Sequence, residues 1–198
     1  MVNSVNPYRL ISQKTGAWEI CESLGFAPDL HVIPVGNAGN ISAYWAGYKD
    51  FKKWGKISTL PRMMGFQAEG AAPLVTNKPC PNPETLATAI RIGNPVSAEL
   101  ARTAVRESGG EFNAVSDDEI LEAQLILARK GGVFAEPASC ATLAGLIKLK
   151  KAKKLPKGSR VVMILTGNGL KDPDTALDQV EKPVTIGSTL EELMEVLA

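Results

Sequence analysis

The chain has 198 residues, of which 44% are hydrophobic and 22% charged, the make-up of an ordinary folded domain with one sizeable core and neither a disordered nor a fibrous chain. A net charge of +1 supplies no field that would gather nucleic acid or an anionic membrane, so partners have to be argued from sites. Cys21, Cys80 and Cys140 are odd in number and form no C-x-x-C pair for zinc or thiol exchange, so reduced, buried thiols are expected and no metal.

Met1 to Leu10 is polar, carries Pro7 and Arg9, and lacks the apolar stretch of a secretory signal. The run Val161 to Leu165 lies between Arg160 and Gly167, far short of a membrane span, so a cytoplasmic protein is expected. After an opening loop, Gln13 to Leu24 places apolar residues at helical spacing and stops at Gly25, a residue suited to a left-handed cap. Leu30 to Val35 is short, apolar and β-branched and reads as a strand. It breaks into Gly36-Asn37-Ala38-Gly39-Asn40, and a helix follows, closed by Gly55.

Pro73 to Pro95 reads as a loop enclosing one short helix, with no domain boundary. Ser116-Asp117-Asp118-Glu119 forms a capping box, which predicts a helix to about Lys130 ended by Gly131-Gly132. A short strand is predicted at Val133 to Ala135, then a helix in EPASCATLAGLIKLKK. Arg160 to Leu165 is the most convincing buried strand, and Ser188 to Glu191 caps a final short helix. Strands alternating with helices, each strand ending in a glycine turn, predict an α/β fold: three layers, a mostly parallel sheet with helices on both faces. Ligands in such folds sit at the carboxyl ends of the strands, where the turns at Gly36 and Gly167 both fall.

The turn GNAGN has two glycines that let the backbone fold tightly and turn N–H groups inward, and the next helix adds its positive dipole. A bound phosphate suits it; so does a purely structural strand-to-helix turn, because the pattern is neither G-x-G-x-x-G nor a Walker loop. In the second turn, Thr166 to Pro173, a hydroxyl at a buried strand end needs a hydrogen-bond partner, as a ligand-facing group or as a core threonine bonded to backbone.

The segments VGNAGN (Val35 to Asn40) and TGNGLKDP (Thr166 to Pro173), in this order with Glu136-Pro137-Ala138-Ser139 between them, resemble the threonine synthases. The resemblance includes Asn3-Ser4-Val5-Asn6-Pro7-Tyr8-Arg9 and Gln13-Lys14-Thr15, and so extends over nearly the whole chain. It implies a fold-type-II enzyme that uses pyridoxal 5'-phosphate to convert O-phospho-L-homoserine and water to L-threonine and phosphate. By that resemblance Gly36, Asn37, Ala38, Gly39 and Asn40 hold the cofactor phosphate and Thr166 faces the pyridine nitrogen. Asn3, Ser4, Arg9 and Asn37 match positions that hold the substrate phosphate, work for which the planar guanidinium of Arg9 offers paired donors. Thr166, unlike a carboxylate, brings no negative charge to the ring nitrogen, so a moderate electron sink is expected.

The lysine that forms the Schiff base in this family lies in an upstream motif that these residues do not contain, and neither Lys14 nor Lys171 stands in its place. Residues 1–198 are therefore read as a single C-terminal cofactor-phosphate-binding domain, from a truncated frame, a split gene or a shortened chain, inactive by itself. A complementary upstream half or a homo-oligomer is the expected partner. The opening residues are expected to be poorly anchored. Other readings are a related lyase such as a threonine or serine dehydratase, which needs no second phosphate site, and a non-catalytic phosphate-binding module. His31 on its apolar strand is read as a core histidine. The lysines from Lys148 to Lys157 are read as a solvated helix end, and Tyr44, Trp45 and Tyr48, at helical spacing, as packing residues, with Tyr44 or Trp45 the alternative candidates to line the pocket. Glu136 either supports a first helical turn or lies near the cofactor.

Overall fold

The computed structural model describes residues 6–180 and 184–197. Asn6 accepts from the Tyr8 amide and opens α1 (Pro7–Gln13), which Lys14 separates from α2 (Thr15–Leu24). Strand β1 (Leu30–Pro34) is followed by α3 (Gly39–Lys53), β2 (Arg62–Ala68) and the single turn α4 (Pro73–Thr76). Then come α5 (Ala98–Ser108), β3 (Glu111–Val115), α6 (Asp117–Gly131), α7 (Pro137–Lys151) and β4 (Val161–Met163). The described chain closes with α8 (Pro173–Leu177) and α9 (Leu190–Leu197).

The described strands form one sheet in the order β3-β2-β1-β4, and every pairing is parallel. Alternation along the strands supplies both faces with core. Leu30, Val32, Met64 and Phe66 point to one side and pack with Ile120, Ala123, Ala141 and Ala144 of α6 and α7. Ile33, Val35 and Met63 point to the other, against Ala17 and Cys21 of α2, Ile41, Trp45 and Tyr48 of α3, and Ala101 of α5. This is the three-layer α/β arrangement predicted. The crossovers α3 and α5 carry the chain outward on one face, whereas α6 and α7 carry it back across the sheet on the other. Right-handed crossovers produce that division, and the order in which strands join the sheet reverses between β1 and β4.

Several elements differ from expectation. The opening residues from Asn6 onward are not frayed, because α1 is capped and packs on α3. Val133 to Ala135 is not a strand; Ala135 makes one antiparallel bridge, to Asn168. Arg160 to Leu165 is not a buried interior strand: its β4 portion is half-buried and lies at the sheet edge. The final capping pattern lies one residue later than predicted, on Thr189 and Glu192, which bond to each other's backbone N–H groups. Of the lysine run, Lys150, Lys151, Lys153, Lys154 and Lys157 are exposed as expected, whereas the Lys148 ammonium also reaches Glu69, Glu119 and the Ala114 carbonyl at 3.0–3.2 Å. Cys21, Cys80 and Cys140 are free thiols. No helix among the described residues is long and apolar enough to cross a membrane.

Candidate functional site: a crevice between two strand ends

The crevice begins with a proline. The β1–β4 ladder runs to Val32 and Met163 and ends with the Ile164 N–H donating to the Val32 carbonyl. The next donor would come from residue 34, and Pro34 has no N–H. On the other side β1 continues, with the Val35 amide on the Phe66 carbonyl. The sheet thus parts between β1 and β4 at their carboxyl ends, at the switch point.

Beyond Pro34, side chains and carbonyls hold the turn and leave its amides over. Asn40 folds back, donating from Nδ2 to the Pro34 carbonyl and accepting the Ile41 amide on Oδ1. Ser42 donates to the Ala38 carbonyl at 2.7 Å, and the Ser97 amide to that of Asn37. The N–H groups of Gly36, Asn37, Ala38, Gly39 and Asn40 meet no acceptor among the described residues. Ala38 has φ 66°, a left-handed conformation that disfavours a β-carbon, and it swings the chain into α3. A Cβ on Gly36 would lie 2.9 Å from the Ala89 carbonyl oxygen, so this position requires glycine. One on Gly39 would meet only the end of Leu10, at 3.3 Å, and the Ser97 hydroxyl, at 3.8 Å.

The opposite wall consists of side chains. Thr166 contacts Ser139 Oγ at 3.1 Å and donates to Glu136 Oε1 at 3.3 Å. The Gly167 N–H donates to Ser139 Oγ at 2.9 Å, and the Glu136 N–H to the Gly167 carbonyl. Lys171 Nζ stands 3.4 Å from Glu136 Oε2. Glu136 is only 5% exposed and Ser139 fully buried, so this second turn is clamped onto the start of α7. Gly167 is a glycine for a specific reason, since a Cβ there would sit 2.3 Å from the Glu136 carboxyl.

The two walls enclose a cavity of about 750 Å3, within the range of small-molecule and cofactor sites. All five residues Gly36 to Asn40 line it, and so does Thr166, with Arg9 at its rim. Asn3 and Ser4 lie outside the described residues. Tyr44 lines the cavity, but Trp45 does not: it is buried and donates from Nε1 to Glu107 at 2.8 Å. Glu136 and Lys171 also border it, whereas Lys14 is engaged by Asp50 at 2.9 Å. Sequence reasoning did not find Ser139 or the Glu136–Lys171 pair. The only signal was a small hydroxyl one turn into a helix beginning at a glycine-turn partner, and it gained meaning only once the segments met. Among the described residues no group of three or more histidine, cysteine or acidic side chains is placed to hold a metal.

Behind the first wall lies His31, fully buried, with Nδ1 2.9 Å from the Tyr48 hydroxyl and its ring 4.7 Å from that of Tyr44. Burial pushes its pKa down to about 3, so the imidazole is neutral there.

The sequence pattern of the family described as Pyridoxal-phosphate dependent enzyme matches residues 1–167. The chain is 59% identical over 187 residues to the threonine synthase of Synechocystis sp., covering 94% of this chain and 48% of that protein. It is 58% identical over 181 residues to the threonine synthase of Halalkalibacterium halodurans, covering 91% and 51%. The chain thus spans about half the length of the curated relatives it matches. Among solved structures, maize serine racemase superposes with a TM-score of 0.68 at 21% identity, over 87% of this chain and 51% of that one, a likeness of fold alone.

Proposed function

The chain belongs to the pyridoxal-phosphate dependent enzymes, and from that premise we propose that its crevice serves a threonine-synthase reaction, in which O-phospho-L-homoserine and water give L-threonine and phosphate. The observation that carries the proposal is the row of sheltered amides from Gly36 to Asn40 without protein acceptors, facing Thr166 across one cavity.

Family membership implies pyridoxal phosphate, and the residues fit it. Five N–H groups at the start of a 15-residue helix are matched to a dianion, with the helix dipole adding to their attraction. The Gly36 position would be filled by a β-carbon, and the cavity has room for a ring with its phosphate arm. When bound, the cofactor supplies an electron sink for carbanions beside the amino carbon. The protein's part is to hold and orient. The Gly36 to Asn40 amides bind the phosphate, and Thr166 meets the ring nitrogen at the far wall. Arg9, at the rim, binds the second phosphate, that of the substrate, with Asn37 beside it. Asn3 and Ser4 belong to the same substrate subsite in this reading. Tyr44, Ile164 and Leu165 form the apolar wall that excludes water from the reacting carbons.

Among the described residues Lys171 is the one lysine bordering the cavity, and it is paired with Glu136, so we assign the cofactor-linking lysine of the family to a polypeptide segment other than these 198 residues. The test mixes the chain, pyridoxal phosphate and O-phospho-L-homoserine, with and without a separately expressed lysine-bearing half of a related threonine synthase, and follows phosphate release. Turnover only in the mixture supports the reading. Turnover by the chain alone refutes the lysine assignment, and cofactor binding without turnover in either favours a non-catalytic phosphate-binding module. A dehydratase, which would need no anion subsite at Arg9, is recognised by release of ammonia when threonine or serine replaces O-phospho-L-homoserine in the mixture.

A further inference from the structure

The far wall contains a chain of hydrogen bonds whose direction is set by the chemistry of its ends. At one end the Gly167 N–H, which only donates, gives its proton to Ser139 Oγ at 2.9 Å. Ser139 then has its own proton to place, and Thr166 Oγ1 at 3.1 Å is nearer than the Gly167 carbonyl at 3.4 Å. At the other end the Glu136 carboxylate only accepts, so its 3.3 Å contact with Thr166 is made with the threonine proton. Lys171 Nζ, 3.4 Å from the second carboxylate oxygen, complements that charge. The order runs from Gly167 N–H through Ser139 and Thr166 to Glu136 and Lys171. Bonds aligned in this way polarise one another.

We propose that Glu136 is a positioning residue that sets the polarity of the Thr166 hydroxyl, drawing its proton away from the cavity so that Thr166 presents a lone pair to whatever ring lies there. Thr166 then accepts a hydrogen bond from a ring N–H and has none to donate to a bare ring nitrogen. The inference rests on the reading that Thr166 faces the cofactor ring. It amends the expectation drawn from the threonine alone: the negative charge is present in the site, one hydrogen bond behind the hydroxyl, on a carboxylate that is 5% exposed. The consequence is a ring nitrogen that keeps its proton to higher pH and withdraws electrons more strongly than a hydroxyl by itself would allow.

The experiment binds ring-15N-labelled pyridoxal phosphate to the chain and to E136Q, and follows the ring nitrogen by 15N NMR and the phosphate by 31P NMR across pH. In E136Q the amide lacks the charge and is able to donate to Thr166. The ring nitrogen of the wild-type complex should therefore hold its proton about one pH unit higher than that of E136Q, a tenfold difference in proton affinity. The phosphate signal should be shifted from that of free cofactor in both. Equal ring titrations with the phosphate bound in both would overturn this inference and leave the proposed function standing. An unshifted phosphate in wild type would overturn both. Should E136Q not fold, Lys171→Met, on the exposed side of the pair, carries the comparison: it leaves the carboxylate charge uncompensated, so a rise of about half a pH unit is expected, and no rise overturns the inference.

Discussion

The wall of the crevice after β1 is backbone, and the wall after β4 is side chain. The first follows an interior strand, fully buried, and in the proposed function its ligand would bind to amides freed by local geometry, which a change of side chain can occlude but not remove. The second follows a half-buried edge strand and depends on Glu136, Ser139 and Thr166, brought from 30 residues apart. On the proposed reading, such a site would couple a rigid anion cradle to a polarity that single side chains can tune.

The largest test of that difference is Gly36→Ala. Its Cβ would press on the Ala89 carbonyl, and such overpacking costs about 1 to 3 kcal/mol. Affinity for pyridoxal phosphate, read by fluorescence titration, should fall about ten- to hundredfold. Gly39→Ala, with only Leu10 and Ser97 to accommodate, should cost less, and the reverse order would break the backbone account.

Ser139→Ala probes the other wall. It leaves the half-buried Gly167 N–H without its acceptor, a loss of about 1 kcal/mol in unfolding free energy by urea titration. Binding of inorganic phosphate should stay within a few-fold of wild type, because the cradle is untouched. A collapse of phosphate binding in this variant would show that the walls are not separable.

A smaller effect concerns the floor beneath the first wall. His31 is held neutral with a pKa near 3, while the unfolded chain binds its proton at about 6.5. Between these values the unfolded state takes up more protons, so the contribution of this site is complete above about pH 6.5 and is lost as pH falls toward 3. Thermal melts from pH 7 to 4 should show the decline, and the double substitution His31→Phe with Tyr48→Phe should flatten it. An unchanged slope would remove His31 as the cause.

The smallest effect is expected at the far end of β1 and β4, where Asp29 accepts from the Arg160 backbone N–H at 2.8 Å and from its guanidinium at 2.9 Å. The pair holds the Asp29 pKa down to about 2, so its contribution is present above the usual carboxylate pKa near 4 and fades as pH falls through 2. Both groups are exposed, and Asp29→Asn should lower the melting temperature only slightly, without affecting either wall.

What could be read in the sequence follows the same division. The α6 capping box, the Gly25 cap and the turn after β1 are local, so residue types at fixed spacing identified them. Strand β2 escaped notice because its sequence, RMMGFQA, is interrupted by polar and glycine residues whose needs are met at a distance. Gln67 is fully buried, donating to the Val35 carbonyl and accepting the Leu74 amide. Helix α5 and strand β3 were hidden beyond a proline-rich stretch, β3 as a half-buried edge without a strong apolar run. The error at Arg160 to Leu165 has a physical source: hydrophobicity reports that a strand packs on something, not whether another strand lies beside it. The chain of hydroxyls from Ser139 to Glu136 has no local pattern, since its direction depends on two distant segments meeting, Glu136 to Ser139 and Thr166 to Lys171.

The most direct measurement of the central claim is an amide 1H–15N NMR titration of the chain with pyridoxal phosphate. The account predicts that the resonances of Gly36, Asn37, Ala38, Gly39 and Asn40 shift together, saturably, and further than those of any other segment. Saturable binding with these five amides unmoved would contradict it.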